Sequence, residues 1–141
     1  MAQRVEELKI WQRAQQFAVA VTAILGRPGF LRDGRLRDQI RDATDSILSN
    51  IAEGFAQPTD RAFAKYLFTA KASAAEARTR LQIARNRDYM TDDQLKTCTD
   101  LGDEVARMMT GLIKYLLRSD RKTRGLGLTG TTKSNRPVET D

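Results

Sequence analysis

Leu8, Trp11, Ala14, Ala18, Val21 and Leu25 follow one another at steps of three and four residues, the spacing of one apolar face of an α-helix. Gly26, Arg27, Pro28 and Gly29 interrupt it, so the pattern predicts a first helix from Glu6 to Leu25. Leu36, Ile40, Ala43, Ile47 and Ile51 repeat the same steps behind Asp33, a suitable N-cap, until Gly54 ends the run. A second helix is therefore expected from Gly34 to Glu53. Phe63, Leu67, Ala70, Ala74, Ala77, Leu81 and Ala84 define a third, reaching Asn86, whose alanine-rich face lets a neighbouring helix approach closely. Thr91 and Gln94 have the spacing of a capping box, and Leu95, Cys98, Leu101, Val105, Met108, Leu112 and Leu116 carry a fourth helix to Arg118.

No alternating, strand-like stretch competes with these helices. Short connections make successive helices antiparallel, so the pattern predicts an all-α fold, an up-down-up-down four-helix bundle over residues 1–118. From Ser119 onward the chain is rich in Gly, Thr and charge without apolar periodicity, and residues 119–141 are expected to form a disordered, flexible basic tail. A length of 141 residues suits one domain, and 30% charged residues leave no room for a membrane span. Glu6, Glu7, Lys9, Gln12, Arg13, Gln15 and Gln16 break up the first thirty residues, so no signal peptide and a cytoplasmic location are expected.

The sequence contains no histidine and a single cysteine, Cys98, which excludes most zinc sites, histidine-based triads and disulfide scaffolds. Cys98 lies on an apolar helical phase and is expected to fill core space. Gly125, Gly127 and Gly130 follow no strand and precede no helix, so they do not form a phosphate loop. Glu53 and Glu76 are the acids nearest apolar faces, but no Glu-x-x-His motif accompanies them. Neither cofactor, metal nor enzymatic activity is expected.

Two further patterns concern partners. Ile10, Phe17 and Ile24 form a second apolar row, about 100 to 140° from Trp11 on a helical wheel, and Leu95, Ala106, Ile113 and Leu117 flank the core face of the fourth helix. One core is not expected to bury both rows, which assigns Ile10, Phe17, Ile24, Ile113 and Leu117 to an interface between copies. Gln39, Asp42, Ser46, Asn50 and Glu53 form a polar seam beside the core of the second helix. Such a seam ties helices or subunits together by hydrogen bonds, or faces water.

A net charge of +6 and a pI near 9.8 favour an acidic partner such as nucleic acid. Lys71, Arg78 and Arg85 recur every seven residues, a ladder with steps of about 10 Å. Arg27, Arg32, Arg35, Arg37, Arg85 and Arg87 gather at one end of an antiparallel bundle, facing Asp33, Asp38, Asp88, Asp92 and Asp93. Arg118, Arg121, Lys122 and Arg124 form a second run leading into the tail. Arg35, Arg37, Arg41, Lys71, Arg78 and Arg85 are the candidate contacts to an RNA or DNA backbone, with few exposed aromatics expected for stacking. The alternative is a protein interaction scaffold whose charge serves only solubility.

Ser46 to Gly54 reads SILSNIAEG, preceded by Leu8, Lys9, Ile10, Trp11, Gln12, Arg13, Ala14 and by Gly34, Leu36, Gln39, Ile40, Arg41, Ala43. Phe63, Tyr66, Leu67, Ala70, Ser73 and Glu76 follow it, and together these resemble the four-helix bundle proteins called 23S rRNA intervening sequence proteins, or S23-like proteins. Ala72 stands where that family usually has glycine, and Asp42 where it usually has a second arginine. The resemblance implies a small bacterial protein with an antiparallel four-helix fold and no established enzymatic activity. It makes Ser46, Asn50, Glu53 and Gly54 a structural or interface motif. The family is also similar to the accessory variability proteins of diversity-generating retroelements, basic five-subunit barrels that bind RNA beside a reverse transcriptase. A homopentamer with RNA, and a reverse transcriptase or other protein as partner, is the assembly this implies.

Overall fold

Side-chain caps set where most of the long helices begin. The computed structural model describes residues 2–125, with side chains for 2–119. A 3₁₀ turn over Val5–Glu7 leads through Leu8 into α1, Lys9–Ile24. Pro28, whose missing N–H is no loss at a first helical position, starts a one-turn helix α2, Pro28–Leu31. The Asp33 carboxylate accepts from the Leu36 N–H at 3.3 Å and opens α3, Gly34–Phe55. Thr59 caps α4, Asp60–Asn86, by accepting from the Ala62 N–H at 3.1 Å. The box at Thr91 forms in both directions: its Oγ1 accepts from the Gln94 N–H at 3.1 Å, and Gln94 Oε1 accepts from the Thr91 N–H at 2.8 Å. That box opens α5, Asp92–Gly125.

Among the described residues there are five helices and no strand. Each long helix packs on two others: α3 on α4, α4 on α5, α5 on α1 and α1 on α3. Cross-helix contacts fix the directions. Arg80 meets Gln39 while Gly54 meets Phe63, Arg78 meets Asp103 while Arg85 meets Asp92, and Arg13 meets Glu104 while Phe17 meets Gly102. In each pair residue numbers fall on one helix as they rise on the other, so neighbours run antiparallel and the long helices close into a four-helix bundle. Phe17, Ile40, Ile47, Phe63, Leu67 and Leu116 fill its interior.

The structure corrects three expectations. Ile10 and Phe17 are wholly buried, and Ile24 and Ile113 are only 6% exposed, so one core takes both apolar rows and these residues form no outward interface. The buried arc of α1 is centred on Ile10, Ala14, Phe17, Val21 and Ile24, so Trp11 and Ala18 fall at its half-buried edge. Leu117, the last of the proposed interface set, is partly buried at the bundle's edge. The link between the first two long helices, expected as a plain break, contains α2. The last helix continues past Arg118 to Gly125, the first glycine or proline after Gly111, and the remainder of the expected tail lies outside the described residues.

Two close approaches hold the bundle. Ala70, Ala74 and Ala77 are fully buried on α4, and a Cβ on Gly54 would lie 2.8 Å from Phe63 Cδ1 and 2.9 Å from Tyr66 Cβ. α3 and α4 therefore meet closely at the end of the family-like motif. At the other end Asp33 Oδ2 accepts from Arg87 at 2.8 Å and from the Tyr89 hydroxyl at 2.9 Å. Arg27 donates to the Tyr89 carbonyl and Arg37 to the Leu25 carbonyl, both at 3.0 Å. Tyr89 also packs on Phe30, with ring centroids 5.5 Å apart. Asp88 makes the tight turn between α4 and α5 with φ of 62°, a left-handed conformation that aspartate tolerates better than most residues.

Gly54→Ala is expected to destabilise the protein by about 1–3 kcal/mol in urea unfolding, since Phe63 and Tyr66 must shift to admit the methyl group. The Tyr89 hydroxyl, followed by the Leu36 N–H and Arg87, holds the Asp33 carboxyl below its usual 3.8 against partial desolvation. Its depressed folded value gives a contribution to stability that is present above the unfolded pKa and lost as pH falls through the folded one. Tyr89→Phe should move the Asp33 titration upward in carboxyl NMR and narrow that acid-sensitive window.

Candidate nucleic-acid interface

The basic residues singled out in the sequence are mostly engaged within the molecule. Arg78 pairs with Asp103 at 2.5 Å, and Arg85 pairs with Asp92 at 2.5 Å and Asp88 at 3.0 Å. The hydrogen bond and charge of Asp92 raise the Arg85 pKa, and Arg85 lowers that of Asp92 in return. Arg37 is spent on the Leu25 carbonyl, and Arg41 lies 3.6 Å from Asp38. Arg35 and Lys71 make no hydrogen bond or ion pair within the described residues, and they sit on different helices. Hence the seven-residue ladder exists as a face of α4, but α5 neutralises its last two members.

The polar seam is a tie between α3 and α4. Ser46 Oγ and Ser73 Oγ are 2.8 Å apart, and Asn50 Nδ2 donates to the Ser46 carbonyl at 2.8 Å and to its Oγ at 3.0 Å. Gln39 Oε1 accepts from Arg80 at 2.9 Å, and Arg80 also pairs with Glu76 at 2.9 Å. Asp42 and Glu53 are exposed. Glu76 is drawn toward Gln39 near the start of α3, whereas Glu53 lies near its end, so the two glutamates do not share a site. Among the described residues no group of three or more His, Cys, Asp or Glu could hold a metal. Cys98 is 2% exposed, and burial pushes its thiol up to about 11. It should therefore resist a thiol-labelling reagent at neutral pH in the native protein and react once the protein is unfolded in urea.

A different basic surface emerges from the antiparallel register. Arg61, Lys65 and Lys71 lie on the first half of α4, and Arg107, Lys114 and Arg118 lie from the middle of α5 onward, beside it. None of the six makes a hydrogen bond or ion pair within the described residues, and all but half-buried Lys71 are exposed. No aspartate or glutamate occurs from Arg61 to Ala75 or from Val105 to Ser119. The acid-free stretches were visible in the sequence, but only the register shows that they form one face.

A mostly apolar groove runs through this face, lined by Thr59, Ala62, Ala64, Phe68 and Leu117 with Arg61 and Lys65 at its edge. Phe68 is 54% exposed there. This gives the face an aromatic ring that sequence reasoning did not supply. Tyr115 is exposed too, but it lies three turns beyond Glu104 on the side of α5 that faces α1. Lys65→Glu together with Lys114→Glu should leave the thermal unfolding midpoint within a few degrees of the wild type, because neither side chain is buried or paired.

Fold and surface together define an all-helical protein with a hydrogen-bonded seam between two helices and an acid-free basic face. Residues 6–111 match the sequence model of the family described as 23S rRNA-intervening sequence protein, and the chain belongs to that family. The resemblance carried by SILSNIAEG and its flanking residues is thus borne out. A similar solved structure is a protein with unknown function from the S23 ribosomal protein family, from Bacteroides thetaiotaomicron VPI-5482. It is 20% identical with a TM-score of 0.67, covering 74% of this chain and 98% of that one, and at that identity the likeness concerns the fold. No curated protein matches the chain. Neither match indicates an enzyme family. No helix among the described residues is long and apolar enough to cross a membrane.

Proposed function

We propose that this protein acts without catalysis by binding nucleic acid, RNA foremost, through phosphate contacts on the face shared by α4 and α5. One observation carries this reading: six basic side chains lie on that face, and none of them makes a hydrogen bond or ion pair within the described residues. An arginine already held by an aspartate must give up that pair to reach a phosphate, whereas an unpaired one only exchanges counterions. The family's description in terms of 23S rRNA supports RNA over other polyanions. The ring of five copies and the companion reverse transcriptase or other protein rest on the resemblance alone. With Ile10, Phe17, Ile24 and Ile113 inside the core, such a ring would have to use other surfaces.

Fluorescence anisotropy with a generic RNA across a salt series tests the binding. Six contacts to a single strand correspond to a slope of log affinity against log salt near about −4. Lys65→Glu with Lys114→Glu should weaken binding more than tenfold and flatten the slope, while Arg35→Glu on the first turn of α3 should change neither. A flat wild-type salt profile, or an equal loss from Arg35→Glu, overturns the assignment. Light scattering settles the assembly separately: a mass near five chains supports the ring, and one near 15.9 kDa rules it out.

A further inference from the structure

The basic face has a feature that phosphate binding alone does not use. Phe68 stands between Lys65 and Lys71 on α4, at successive three-residue steps of about 4.5 Å along the helix. Its ring is more than half exposed and continues into the apolar groove formed with Ala64 and Leu117. Lys114 and Arg118 lie across from it on α5. Water solvates an exposed apolar ring poorly, and the basic side chains around this one make no hydrogen bond or ion pair within the described residues.

We infer that Phe68 and the groove beside it receive an unstacked base of a single-stranded RNA, while Arg61, Lys65, Lys71, Lys114 and Arg118 hold the phosphates on either side. This deepens the function proposed above and rests on it. A duplex offers such a surface phosphates, riboses and base edges but no free base face, because its bases are stacked inside and its deep major groove is too narrow for a pair of packed helices. A single strand can turn a base outward onto an aromatic ring, and it does so with little regard to sequence, since every base has a flat face. Charge complementarity selects this occupant for the groove: an apolar helix from another protein would leave the surrounding cations unanswered.

The test compares a twelve-nucleotide oligouridylate with an RNA duplex of the same length, binding to the full chain and to Phe68→Ala and Phe68→Trp. Stacking predicts that Phe68→Ala weakens the single strand by about 5- to 100-fold, that Phe68→Trp retains it, and that duplex affinity and salt slope stay unchanged. Because Phe68 lies outside the core, the alanine variant should keep the wild-type thermal unfolding, which circular dichroism checks. Unchanged single-strand affinity in Phe68→Ala, or equal losses on both ligands, overturns the inference while leaving backbone binding in place. Failure of the wild type to bind either RNA overturns both.

Discussion

Buried packing of Ala70, Ala74, Ala77 and Leu81 on α4 and of Val105, Met109 and Leu116 on α5 fixes the register of the two helices, and Arg78 with Asp103 and Arg85 with Asp92 mark it at the surface. Much of the molecule's surface chemistry depends on that register. It lays the acid-bearing first half of α5 against the arginines in the last turns of α4, which leaves both neutralised. It also lays the acid-free stretch of α5 from Val105 to Ser119 beside the acid-free stretch of α4 from Arg61 to Ala75. A chain with moderate net charge thereby acquires one surface where positive charge is undiluted. A slip of one helical turn would part Arg78 and Arg85 from their aspartates and dissolve this segregation without changing the composition at all.

The register is held from behind by α3. Small residues let α3 and α4 approach: alanines along the buried face of α4, and Gly54 where Phe63 and Tyr66 cross. In the middle, the Ser46 and Ser73 hydroxyls and the Asn50 amide satisfy one another, so polar atoms between the helices carry hydrogen bonds. The family-like segment from Ser46 to Gly54 is therefore a packing device. Its serine, asparagine and glycine are explained by what fits between two closely spaced helices, and no chemistry needs to be assigned to them.

Features that depend on one stretch of chain were legible in the sequence. The helix starts at Asp33 and Thr91, the alanine face of α4 and the burial of Cys98 follow from local spacing and residue type. Features that depend on two helices were legible only in part. Ile10, Phe17 and Ile24 were correctly placed on one line, but whether that line meets a copy or the same chain depends on how wide an arc the neighbours cover. The Lys71, Arg78, Arg85 ladder is real as geometry, yet its charge is decided by aspartates on another helix. Arg61 and Lys114 are more than fifty residues apart in the chain, and no local pattern links them. The short helix α2 is hidden because Gly26, Pro28 and Gly29 read as breaks, although Pro is also a favoured helix opener.

Asp33 has two duties: it caps the first turn of α3 and grips Arg87 and Tyr89, 54 and 56 residues further along the chain. Helix ends elsewhere open by local fraying, at almost no cost in free energy. Here the first turn of α3 cannot fray without also loosening the turn that joins α4 to α5. Opening that first turn therefore costs the bonds to Arg87 and Tyr89 as well as its own, which couples two segments that are remote in sequence at the end of the bundle opposite the basic face.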